Sequence, residues 1–173
     1  IFLIITLIVD LTSCELMMKK PPKPNVKVLL VALDYQHDAR NHLKGTIRDA
    51  KEFKQALREL NQNTSFIEMY QEGPDPDKLS ETYPTPDNVL DKIDEQLKDL
   101  EENDLFIFYY AGHGDTGTGD LALTKVVNEV EYFDFLSVKT LLERFSKIKK
   151  GHAVLILDSC YSGQYVPSYN FDD

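Results

Sequence analysis

Tryptophan is absent from this chain, and only two of its 173 residues are cysteine, Cys14 and Cys160. Two cysteines in unlike settings, one in an apolar leader and one at the end of an apolar run, do not make a disulfide framework. Basic clusters are missing as well. Nineteen Lys and Arg against 29 Asp and Glu leave a formal charge of -10, and no basic run with interleaved aromatics occurs, which counts against nucleic acid as a partner. No apolar run reaches the ~20 residues that a membrane-spanning helix needs.

What is present suits one folded domain. The chain is 42% hydrophobic and 28% charged, enough apolar material for a sizeable core and too much for disorder. It opens on Ile1 rather than Met, and Ile1 to Val9 is an apolar run of the length of a signal-peptide core. Leu11-Thr12-Ser13-Cys14 resembles a bacterial lipoprotein processing box, with Asp10 counting against it. Lys19 to Pro24 reads as a proline-rich linker. The expected division is a leader and linker over 1–24 and one domain over 25–173. Export or membrane anchoring is expected only through that leader, and a cytoplasmic location without it.

Hydrophobic periodicity orders the rest. Asn25 to Leu33 reads as a buried strand, and Thr46 to Leu60 as a helix with Ile47, Ala50, Phe53, Ala56, Leu57 and Leu60 on one face. Phe66 to Tyr70 is a short strand. Thr85-Pro86 caps a helix running to about Glu102. Leu105 to Tyr110 is a third strand, Asp120 to Phe135 alternates like a hairpin, Val138 to Lys147 is helical, and Ala153 to Leu157 is the fourth strand. Alternating β and α predicts an α/β fold with a mainly parallel sheet flanked by helices on both faces.

Two motifs follow the last two sheet strands: Tyr110-Ala111-Gly112-His113-Gly114-Asp115 and Asp158-Ser159-Cys160-Tyr161-Ser162-Gly163. In parallel α/β sheets, sites form beyond the carboxyl ends of the strands. Both loops therefore fall at one edge, pairing a base with a thiol. A thiol of ordinary pKa, about 8.5, is mostly protonated at neutral pH, so a nucleophilic Cys160 needs His113 to take its proton. The backbone amides of Gly114 and Cys160 are the candidates for an oxyanion hole. Singly, His113 could be structural and Cys160 a small buried hydrophobe.

Gly112 to Gly117 also fits G-x-G-x-x-G after a strand. That pattern binds a dinucleotide only where it opens a helix, and here Leu121-Ala122-Leu123 reads as a strand instead.

Taken together, Tyr-Ala-Gly-His-Gly at Tyr110 to Gly114 and Asp-Ser-Cys-Tyr-Ser-Gly at Asp158 to Gly163 resemble the caspase-like cysteine peptidases, in their metacaspase branch. The resemblance covers Val26 to about Gly163. It implies a three-layer caspase-like sandwich, a His113 and Cys160 dyad, and peptide-bond hydrolysis through a thioester. Leu43-Lys44-Gly45-Thr46-Ile47-Arg48-Asp49-Ala50 is similar to the family's first-helix motif. By that likeness Asp49 and Asp158 form an acidic S1 pocket, and the substrates are proteins or peptides with Arg or Lys before the cleaved bond.

The resemblance also shows departures. Many relatives bind calcium through an Asp-Asp pair before the last helix, where this chain has Asp134-Phe135-Leu136-Ser137-Val138. No cofactor is required by the chemistry, and calcium activation stays open although the usual acidic pair is not evident. Family members continue past the nucleophile with strands and a loop that shape the groove, so a small-subunit-like C-terminal segment is expected to complete this large-subunit-like half. The residues leave open a non-catalytic caspase-like scaffold.

Overall fold

The computed structural model describes residues 24–128 and 130–165; the leader, most of the linker and Cys14 lie outside them. In chain order the elements are β1 (Val26–Leu33), α1 (Thr46–Leu60), β2 (Thr64–Gln71), α2 (Pro86–Lys98), β3 (Leu105–Ala111), β4 (Leu121–Val127), β5 (Val130–Leu136), α3 (Val138–Phe145) and β6 (His152–Asp158). A short 3-10 turn, Ser162–Tyr165, follows.

Four strands form one parallel sheet in the order β2-β1-β3-β6. β4 and β5 pair separately as an antiparallel hairpin. The central strands β1 and β3 are buried on both faces, which is why their sequences are continuous apolar runs rather than alternating ones. On one face, Val28, Leu30, Ala32, Ile107, Tyr109 and Ala111 pack under Ile47, Ala50, Phe53 and Leu57 of α1. On the other, Leu29, Val31, Phe106, Phe108 and Tyr110 meet Val89 and Ile93 of α2, Leu141 of α3, and Leu121, Leu123 and Leu136 of the hairpin. Each fully buried aliphatic or aromatic side chain there contributes about 1.5–3 kcal/mol. The result is the expected α/β architecture with helices on both faces.

Boundaries follow local chemistry. Thr85 caps α2 by accepting the Asn88 amide at 3.2 Å, with Pro86 in the first turn. At the opposite edge, Asp104 accepts the Asn25 amide at 3.3 Å and the Glu101 amide at 3.1 Å, fixing where β1 and β3 begin. Two expectations are corrected. Leu60 is 83% exposed and Ala56 is exposed too: at this end of α1 the packing on the sheet is made by Leu57 and by Arg58 over the Phe66 ring of β2 instead. α2 stops at Lys98 rather than Glu102, since Leu100 must already turn into the core ahead of β3.

Candidate active site

The loops carrying His113 and Cys160 leave adjacent parallel strands at the same end. Ala111 and Asp158 are register partners, and the Gly112 amide continues the ladder by donating to the Asp158 carbonyl at 3.2 Å. Beyond that bond the loops touch backbone to backbone. A Cβ placed on Gly114 would lie 2.1 Å from the Cys160 carbonyl oxygen, so only glycine permits this approach. Gly112 is required for another reason: its Cβ would lie 2.5 Å from the Tyr110 hydroxyl and 2.7 Å from that of Tyr35.

Those two hydroxyls hold His113 from beneath. The His113 amide donates to Tyr35 Oη at 3.0 Å, and Tyr110 Oη donates to the His113 carbonyl at 2.7 Å. Tyr35 Oη in turn donates to the Ala122 carbonyl at 2.6 Å, and the Tyr35 ring lies 4.8 Å from the imidazole, centroid to centroid. Tyr35 is itself fixed in a left-handed conformation, φ 51°, its amide donating to Gln71 Oε1 at 2.9 Å. Gln71 Nε2 donates to Glu131 Oε1 at 2.6 Å, and Tyr83 Oη donates to the same carboxylate. A buried polar chain thus runs from the hairpin to the base of His113.

The imidazole has one defined partner. His113 Nε2 lies 2.8 Å from the Asn41 carbonyl oxygen, which can only accept, so Nε2 carries the proton and Nδ1 of the neutral ring is left as the acceptor. Asn41 is held by its own loop, its amide donating to the Asp38 carbonyl at 2.9 Å and its Nδ2 to Asp38 Oδ2 at 2.7 Å. Nothing in the sequence marks Asn41 for this, because the working group is a backbone carbonyl.

Burial pushes the Tyr35 hydroxyl up to about 12, and burial reinforced by the neighbouring Tyr35 phenol drives Tyr110 well above 10. Both therefore remain neutral donors. The native state keeps these protons over a pH range where the unfolded chain releases them, so stability is fully present below pH ~10 and falls as pH rises through ~12. The melting temperature followed by circular dichroism is expected to drop steadily between pH ~10 and ~12. A flat profile would contradict the burial of this pair.

Cys160 is a free, exposed thiol on the turn after β6. Tyr161 beside it adopts φ 62°, a left-handed conformation costing a non-glycine residue roughly 1–2 kcal/mol. Across from it, Gly114 bridges Leu121, but the bonds of that bridge belong to its neighbours: Ala122 donates to the His113 carbonyl and Asp115 to the Asp120 carbonyl. Antiparallel geometry therefore turns the Gly114 amide away from β4.

Asp49 and Asp158 both belong to the α1 face, Asp49 in the first turn of α1 and Asp158 at the end of β6. They share a neighbour that sequence reasoning missed. Burial first, then the charge of Asp158, then that of Asp49, raise the Tyr109 hydroxyl to about 12, and this hydroxyl also hydrogen-bonds Asp158. Tyr109 stacks on Phe53 at 4.7 Å. Its only sequence signal is a hydroxyl within an otherwise apolar strand. Asp49 is not bare: Arg48 donates to its Oδ1 from Nη2 at 3.1 Å and from Nε at 3.2 Å. The glycines from Gly112 to Gly117 lead into β4 and not into a helix, which removes the dinucleotide reading.

Comparison with known proteins gives a consistent picture. Residues 26–168 match the family model of the metacaspase, peptidase C14 domain. Metacaspase-1 of Candida albicans is 32% identical over 88 residues, covering 51% of this chain and 19% of that protein. Metacaspase-8 of Arabidopsis thaliana is 26% identical over 147 residues, covering 79% of this chain and 37% of that protein. The matched stretch is thus a minority of each relative's length.

Proposed function

The chain belongs to the metacaspase family, peptidase C14, and from that premise we propose that it is a cysteine endopeptidase cutting after Arg or Lys. The observation that carries the reading is the contact of Gly114 with the Cys160 carbonyl, a fit that any side chain at 114 would destroy.

In the proposed reaction, His113 Nδ1 takes the Cys160 proton as sulfur adds to the scissile carbonyl. The Asn41 carbonyl holds Nε2 and steadies the imidazolium that forms. Charge developing on the carbonyl oxygen meets the amides of Gly114 and Cys160. His113 then protonates the departing amine, leaving a thioester, takes a proton from the water that adds to it, and returns that proton to the Cys160 thiolate as the C–S bond breaks. The proton balance closes on Cys160, His113 and water, so the proposal needs no cofactor. Asp49 and Asp158 would receive the P1 guanidinium or ammonium, with Tyr109 bracing Asp158.

The scaffold reading draws on one observation: β6 is an end strand of the sheet with no further pairing among the described residues, and its Val154 is 42% exposed. Intact-mass analysis after incubation with peptidyl acyloxymethyl ketones separates the two. The Arg reagent is expected to add one equivalent at Cys160 and the Asp reagent none. Equal labelling would remove the acidic pocket, and no labelling would leave the scaffold.

A further inference from the structure

Beside His113, on the side away from α1, the β4–β5 hairpin leaves a hollow of about 220 Å³, lined by Asn41, His113, Gly114, Asp115, Phe133 and Phe135. Phe133 and Phe135 are 41% and 48% exposed, stacked at 6.4 Å. With Tyr132 they make three half-exposed aromatics on β5, and these two lie beside His113; contiguous exposed apolar surface of this kind marks a contact site. The volume is below the ~300–1,000 Å³ of pockets that take whole small molecules, and suits one side chain.

Two polar groups of the hollow are already committed, and Thr116 also lies on its rim. The Asn41 carbonyl is bound to His113 Nε2. Asp115 Oδ2 accepts from the amides of Gly117 and Thr118 and from the Thr118 hydroxyl, at 2.9, 2.8 and 3.0 Å. For an arriving side chain the two rings are the principal apolar contact, and an acidic one would meet the Asp115 carboxylate.

Position identifies which substrate residue arrives there. The acidic pair belongs to the α1 face and the hairpin packs on the opposite one, with His113 between them. In the proposed reaction P1 sits over the acids and the leaving amine faces His113, so the chain beyond the cut bond passes onto the hairpin side. We propose that the Phe133 and Phe135 hollow is the S1′ subsite and selects an apolar or aromatic residue immediately after the cleaved bond. This rests on the peptidase reading above.

The test is kcat/KM on internally quenched peptides with Arg fixed at P1 and Phe, Leu, Ser, Asp or Lys at P1′. Phe or Leu is expected to exceed Ser and Asp by about tenfold, the lower end of what an apolar pocket delivers. Phe135→Ser, with its fold checked by circular dichroism, should cut that ratio below threefold, and Phe135→Leu should retain most of it. A flat profile, a lead for Lys, or a ratio unmoved by Phe135→Ser overturns the assignment. Labelling of Cys160 by an Arg chloromethyl ketone, whose leaving group is a single chloride and which carries no P1′ residue, separates the failures: labelling with a flat profile removes the subsite alone, and no labelling removes the reaction and the subsite together.

Discussion

Cys160→Ala is expected to lower turnover of a P1-Arg peptide by about 10⁴- to 10⁶-fold, the scale seen when a covalent nucleophile is deleted from a working set. Alanine keeps the Cβ and removes only sulfur, and Cys160 is exposed, so little packing is lost. The melting temperature should stay within about 2 °C, because surface substitutions change stability by roughly 0.5 kcal/mol. Loss of activity with an unchanged melt therefore reports chemistry rather than folding. Residual turnover above a hundredth of wild type would show that the thiol is not the nucleophile. The backbone contact with Gly114 should survive the change, since it uses the Cys160 carbonyl and not the side chain.

The reach of the sequence differs between fold and site for physical reasons. β1, β3 and the capped start of α2 are legible because burial on both faces and a Thr-Pro cap leave patterns within a few residues. Ala56 and Leu60 mislead because periodicity says which face is apolar, and tertiary packing decides how much of that face finds a partner. The approach of the His113 and Cys160 loops is legible from glycine and small polar neighbours, since close loops demand them. Asn41, Tyr35 and Tyr109 are not. Asn41 acts through its backbone; Tyr35 lies in the loop after β1 and Tyr109 where an apolar residue would satisfy the strand pattern, so each hydroxyl gains meaning only once its partners on other elements converge on it. Gln71 and Glu131 are hidden likewise, being polar residues whose partners lie 36 and 48 positions away.

Asp158→Asn is the substitution expected to change selectivity most, cutting the preference for P1 Arg over the uncharged isostere citrulline by about 10- to 100-fold. A hydrogen bond to a charged group contributes about 1.5–3 kcal/mol, and asparagine keeps the shape while removing the charge. Turnover of the citrulline peptide should hardly move, which separates a pocket role from general damage. Asp49→Asn should do less, because Arg48 already pairs with that carboxylate and part of its field is spent before substrate arrives. Because both acids act on Tyr109, they are close enough to couple. The double variant should therefore lose less selectivity than the two single losses multiplied. Tyr109 reports the same geometry independently: without the Asp158 charge its hydroxyl should titrate closer to 10, by ultraviolet difference at alkaline pH. If Asp158→Asn left both the Arg-to-citrulline ratio and the tyrosine titration where they were, Asp158 would be a loop-bracing acid and the pocket would have to be sought elsewhere.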